Sequence, residues 1–254
     1  MPRKPLGLPI LDTALPKGVP RNNMVMVVGE GGTGKSVFLL QLMYSQLRNG
    51  NPCIFICYDD APLAIIQNAM NFGWDLSSFA DDKLLRFIDC YSFRMNPDKT
   101  TIPSFVSYVE DPRDLYQLTQ LLTGLMDRLK MAGHGFVFID SLTELMATTE
   151  SALAIETVKT WRAECAKERL VPLFGSFHFG VKPYDDFEQI LEYVVDGIID
   201  LRYDPLLMQQ GILVKQFRVR KMKGVPHQTN WFTFEVTDEG LKEKPTSVRS
   251  PTSG

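Results

Sequence analysis

The sequence has little cysteine and less histidine. Its four cysteines, Cys53, Cys57, Cys90 and Cys165, form no CxxC pair, and no histidine stands near them at metal-ligand spacing. That excludes a zinc module and a disulfide framework, and reduced thiols suit a cytoplasmic protein. No run of about 18 apolar residues occurs, so no membrane-spanning helix is expected. The segment Met1–Leu8 carries Arg3 and Lys4 without the apolar stretch of a signal peptide. Positive charge is scarce as well: 27 Lys and Arg stand against 30 Asp and Glu, for a net charge of −3. Any contact with nucleic acid would have to come from a local patch. Internal repeats are absent, and so is any Ser/His/Asp or Cys/His hydrolase arrangement.

What is present is an ordinary globular composition, 44% hydrophobic and 22% charged over 254 residues. That length can bury a core as one α/β domain, expected over residues 1–241. Apolar runs at Met24–Val28, Ile54–Cys57, Leu84–Asp89, Phe136–Ile139 and Val171–Phe174 alternate with helix-period segments at Val37–Leu47, Leu63–Phe72, Leu115–Lys130 and Ala152–Glu168. Short buried strands between amphipathic helices build βαβ units, hence a mostly parallel sheet in a three-layer α/β sandwich. The last third differs. Gly197–Tyr203, Gly211–Val219 and Trp231–Val236 read as strands without long helices between them, an antiparallel extension at one edge. Residues 91–112 are rich in Pro, Asp, Thr and Ser and read as a long surface loop. Residues 242–254 read as a disordered tail. Trp74 and Trp161 lie at helical spacing from other apolar residues and are expected in the core.

The segment Gly29-Glu30-Gly31-Gly32-Thr33-Gly34-Lys35-Ser36 matches GxxxxGK[S/T] in full. It follows a strand and opens a helix at Val37, which is the context a phosphate-binding loop needs. Glycines let backbone N–H groups point inward, the helix N-terminus adds partial positive charge, and Lys35 reaches the β and γ phosphates of ATP. Ser36 offers a hydroxyl to Mg²⁺. The strand Phe136–Ile139 ends in Asp140, a carboxylate at the edge of the sheet beside this loop, which points to a second contribution to Mg²⁺. Asp140 could instead cap a short helix at Leu142–Met146. The strand Ile54–Cys57 runs into Asp59-Asp60 at the same edge. One of these can polarise the attacking water as general base, and one can cap the helix begun by Ala61-Pro62.

Taken together, these motifs resemble the RecA superfamily, on its KaiC and archaeal RadA-paralogue branch, from about Leu6 to Leu241. The resemblance extends to the entry segment Leu8–Pro20 with Asp12, to Asn68–Leu76 with its Phe-Gly-Trp ending, and to Phe136–Thr143. It includes Val195–Ile199 and Lys221-Met222-Lys223-Gly224 late in the chain. It implies a RecA-like fold and ATP bound between subunits of a ring or filament, a hexamer in the ring case. Lys221 and Lys223 occupy the positions of the basic pair that reaches in from the neighbour. His178 falls where relatives place a polar residue that senses the γ-phosphate, and His227 would support the subunit interface.

Two departures stand out. Lysine at 223 replaces the usual arginine, a point charge without a bidentate fork. Asp59-Asp60 replaces a glutamate pair, setting the carboxylate back by on the order of 1.5 Å. A displacement of that size costs about 10²-fold in rate, so slow ATP hydrolysis is expected. The resemblance implies a recombination or repair factor that binds single-stranded DNA or a recombinase, and Lys215–Lys223 would supply the charge. The competing expectation is a nucleotide-gated signalling or motor-associated scaffold that binds no DNA.

Overall fold

The computed structural model describes residues 5–180, 182 and 185–244. Its strands are β1 (Met24–Gly29), β2 (Cys53–Cys57), β3 (Leu85–Asp89), β4 (Val106–Tyr108), β5 (Phe136–Asp140), β6 (Leu173–His178), β7 (Gly197–Tyr203), β8 (Lys215–Met222), β9 (Phe232–Thr237) and β10 (Gly240–Glu243). The helices are α1 (Pro9–Ala14), α2 (Lys35–Arg48), α3 (Pro62–Met70), α4 (Leu76–Asp81), α5 (Leu115–Arg128), α6 (Leu142–Thr148), α7 (Ser151–Trp161), α8 (Asp185–Val194) and α9 (Pro205–Met208). Wider π-type turns carry α7 on through Arg162–Glu168.

All ten strands form one sheet in the order β10-β9-β8-β7-β1-β6-β5-β2-β3-β4. From β7 to β4 the pairings are parallel; β8, β9 and β10 add on antiparallel. Strand alternation sorts the apolar residues onto two faces. Val25, Val27, Phe55, Phe138 and Ile199 join the core under α1–α4, whereas Met24, Met26, Val28, Ile54 and Ile139 join that under α5–α8. The central strands β1, β2 and β5 are buried on both faces, which is why they read as unbroken apolar runs. Both expected core tryptophans are buried: Trp74 stacks between Tyr44 and Phe72, and Trp161 donates to Thr119 Oγ1 at 2.9 Å.

The expected sandwich and its antiparallel edge are present, and four local readings are corrected. The surface loop at 91–112 contains β4, which extends the sheet in parallel beyond β3. Helix α8 was unexpected. Residues 211–214 precede β8 rather than belonging to it. Lys242 and Glu243 pair with Glu235 and Phe234 in β10, so the ordered chain runs past residue 241, while 245–254 lie outside the described residues.

Candidate nucleotide site at the carboxyl edge of the sheet

The loop after β1 is shaped by close approach. A Cβ on Gly29 would fall 2.5 Å from the Leu201 carbonyl oxygen and 2.7 Å from Thr33 Oγ1, so only glycine fits. Gly34, with φ of 105°, turns the chain into α2 through a conformation that side chains disfavour. Thr33 closes the turn, its hydroxyl donating to the Glu30 carbonyl at 2.8 Å. Glu30 and Gly31 are exposed; Val37 is half-buried and packs on the core. Lys35 Nζ is buried and donates to the carbonyls of Gly29 and Glu30 at 2.9 and 2.8 Å. Burial lowers its pKa to about 8, against the pull of Asp140, Asp59 and Glu30.

Three neighbouring strands bring the acids to this loop. The N–H groups of Tyr58 and Asp59 both donate to the Asp140 carbonyl, at 2.7 and 3.1 Å, and so tie the end of β2 to the end of β5. The Asp140 carboxylate accepts hydrogen bonds from Ser176 Oγ on β6 and from Ser36. Burial, reinforced by the charge of Asp59, raises its pKa to about 6 despite these bonds and Lys35. Asp59 Oδ1 accepts from Ser141 Oγ at 2.9 Å, and burial raises its pKa too, with Asp60 adding to the shift while Ser141 and Lys35 oppose it.

The structure separates the acidic pair. Asp59 faces the site and is half-buried, whereas Asp60 is exposed. Neither caps a helix. Pro62 occupies the first helical position of α3, so Ala61 is its N-cap and no side chain caps it. Asp140 does not cap α6 either, since that role falls to Ser141, which accepts from the Glu144 N–H at 3.2 Å. His178 ends β6 opposite Gly29 in register, its N–H donating to Thr143 Oγ1 at 2.7 Å. Burial and the charge of Lys35 lower its pKa, and Glu144 opposes them.

A Mg²⁺ ion fits this donor set. Ser36 and Asp140 offer hard oxygen ligands already hydrogen-bonded to one another, and the buried Asp140 sits beside a second carboxylate with too little compensating charge. Sequence reasoning missed Ser176, which holds Asp140, and Thr143, which holds His178. Ser176 left one signal, a lone hydroxyl in an otherwise apolar strand.

Lys221 and Lys223 lie elsewhere. Lys221 pairs with Ile198 near the start of β7, while the phosphate loop leaves the opposite end of neighbouring β1. The gap is roughly 10 Å along the strands, with β7 also intervening across the sheet. Lys221 Nζ donates to the carbonyls of Glu192 and Val195 at 2.6 and 3.0 Å, and Lys223 is exposed, 3.9 Å from Asp196. The two arginines of the basic stretch are committed. Arg218 pairs with Asp200 at 2.8 Å, and Arg220 with Glu188, Glu192 and Asp200. His227 Nδ1 lies 3.1 Å from its local Val225 carbonyl. All four cysteines are free and buried. Among the described residues no helix is long and apolar enough to cross a membrane.

Comparison with known proteins agrees with this architecture. The family model described as "ATPase: KaiC" matches residues 4–247. A UPF0273 protein of Methanocaldococcus jannaschii is 29% identical over 98% of both chains, and one of Pyrococcus furiosus is 27% identical over 95% of this chain and 94% of its own. The circadian clock oscillator protein KaiC of Acaryochloris marina is 24% identical over 88% of this chain but only 40% of its own length. The crystal structure of a KaiC-like protein from Pyrococcus horikoshii superposes with a TM-score of 0.75 at 17% identity, covering 96% of this chain and 99% of that one. The chain thus belongs to the KaiC ATPase family and carries its RecA-like sandwich.

Proposed function

We propose that the protein is a slow ATP hydrolase whose bound nucleotide sets the association of one copy with the next. The observation that carries this reading is the meeting, at one sheet edge, of the phosphate loop Gly29–Ser36 with Asp140 and with an Asp59 tethered by Ser141. The loop N–H groups and Lys35 bind the β and γ phosphates. Ser36 and Asp140 would hold Mg²⁺, which when bound neutralises phosphate charge. Asp59 orients water and accepts its proton as the oxygen attacks the γ-phosphorus; the bond to the bridging β–γ oxygen breaks, and ADP and phosphate leave. The short aspartate side chain keeps this step slow, and His178 senses the γ-phosphate from the other flank. Lys221 and Lys223, too far from their own loop, serve the site of a neighbouring copy.

Two functional settings compete, a recombination factor on single-stranded DNA and a nucleotide-gated scaffold. The pairing of Arg218 and Arg220 with buried or half-buried acids neutralises two of the four cations on β8 and favours the scaffold. The test measures ATP turnover and particle mass together, with and without single-stranded DNA at low salt, using Lys35→Ala as the blank. We expect slow turnover, a mass that rises with ATP, and indifference to DNA. Brisk turnover abolished by Asp59→Asn would overturn the slow step, and stimulation by DNA would restore the recombination reading.

A further inference from the structure

Two exposed apolar surfaces belong neither to the core nor to the nucleotide site. The first is the tip of the β7–β8 hairpin, where Leu206 (70% exposed), Met208, Ile212 and Leu213 (66%) face solvent within a few residues. This tip is ordered. The Asp204 N–H donates to the Val214 carbonyl at 2.7 Å, and the Asp204 carboxylate caps α9 by accepting from the N–H groups of Leu206 and Leu207. Large apolar side chains held outward on a fixed turn mark an interaction surface. The second is the outer stripe of α8, where Asp186, Gln189, Ile190 and Tyr193 are exposed, Tyr193 at 90%. Their spacing places them on one helix face.

The two surfaces complement each other in charge as well as in character. Beside the hairpin tip, Arg202 and Lys215 have no carboxylate within ion-pair distance among the described residues. Arg202 instead donates to Gln216 and lies 3.6 Å over the Trp231 ring. The α8 stripe carries the acidic Asp186. Their positions differ by the length of the strands. The hairpin root lies against the phosphate loop, since the Tyr203 hydroxyl would sit 2.8 Å from a Cβ on Gly32. The Tyr193 end of α8 lies at the opposite edge, where Lys221 binds the carbonyls of Glu192 and Val195. Within one chain the two patches leave each other uncovered. Between two copies arranged head to tail they meet, and such a heterologous contact propagates into a ring or filament.

We propose that the β7–β8 hairpin tip of one copy docks on the outer face of α8 of the next. The proposal rests on the reading of a nucleotide site shared between copies and supplies its missing contact. Docking carries the neighbour's Lys221 and Lys223 toward the phosphate loop, and Tyr203 transmits the filling of that loop to the hairpin.

The test uses the full chain. Leu213→Cys and Tyr193→Cys are made in separate chains, where the engineered thiols are the accessible ones because the native cysteines are buried. Mixed in equal amounts with ATP and a mild oxidant, they should form a disulfide-linked dimer on a non-reducing gel, far more than either variant alone. A chain carrying both substitutions should give a ladder. Leu206→Asp with Leu213→Asp should shift the assembled species toward monomer by light scattering while leaving circular dichroism and the thermal midpoint unchanged. If the unmodified chain stays monomeric with ATP, the gated-assembly reading fails and docking fails with it. If it assembles but neither cross-linking nor the charge substitutions register, docking alone is overturned and the shared site stands.

Discussion

Asp196 shows how a single side chain can hold one end of the sheet. Its carboxylate is almost fully buried, yet it meets Arg162 at 2.7 Å, Lys167 at 3.0 Å and the Met24 N–H at 3.2 Å. Burial opposes the ionised form, but these bonds outweigh it and hold the pKa below the usual 3.8. A pKa lowered by folding contributes stability that is complete above the unfolded value and is lost as pH falls through the folded one. We therefore expect the thermal midpoint of the unmodified chain to drop as pH falls below about 4. Asp196→Asn should flatten that acid limb and cost on the order of 2–3 kcal/mol at neutral pH, less than a fully buried pair because both cations are partly exposed. Thermal melts across pH 2–7 would check both; an equally steep acid limb in the variant would assign the effect to other carboxylates. At this scale the sequence was most legible where residue type and spacing decide the outcome, as in the phosphate loop and Asp140. The helix cap was legible too, though it was misread. With Pro62 at the first helical position, the N-cap can only be Ala61, which frees Asp59 to face the site.

Among the elements, β6 and α6 deliver Ser176, His178 and Thr143 to the nucleotide edge, and their spacing is set by Gly175. A Cβ there would lie 2.7 Å from Leu142 Cδ1. Replacing Gly175 with valine must push α6 off the sheet, at a cost of about 1–3 kcal/mol. It should also slow turnover, because α6 carries Thr143, the acceptor for the His178 N–H. Gly175→Val together with Leu142→Ala should recover much of the stability and part of the rate; denaturant midpoints and phosphate release would show whether recovery occurs. Elements buried on both faces were legible because their apolar runs are continuous. Two of those that were not show why. Strand β4 is three residues long and owes its form to the open edge of β3, a tertiary effect that no local pattern records. Helix α8 buries Leu191 but exposes Ile190 and Tyr193, so its apolar period is blurred by the residues assigned above to an interface.

At the scale of the whole molecule, the phosphate loop after β1 and the Lys221–Lys223 pair at the end of β8 sit at opposite edges of the sheet with β7 between them, a separation no side chain can bridge within one copy. The basic pair therefore either serves a neighbour or serves only the local fold through the end of α8. Mixing inactive variants distinguishes these cases. Lys35→Ala destroys its own phosphate site but keeps its basic pair. Lys221→Ala with Lys223→Ala does the reverse. If the site is shared, each pure variant is inactive. An equal mixture then regains turnover at about a quarter of the interfaces, where an intact loop meets an intact pair by chance in a head-to-tail assembly. If the lysines act only within their own chain, the mixture shows no more than the mean of its two components. Regained activity should also fall with dilution, since it depends on association and so follows mass action. A regain independent of concentration would point to active chain already present in one of the preparations rather than to a site built by two copies.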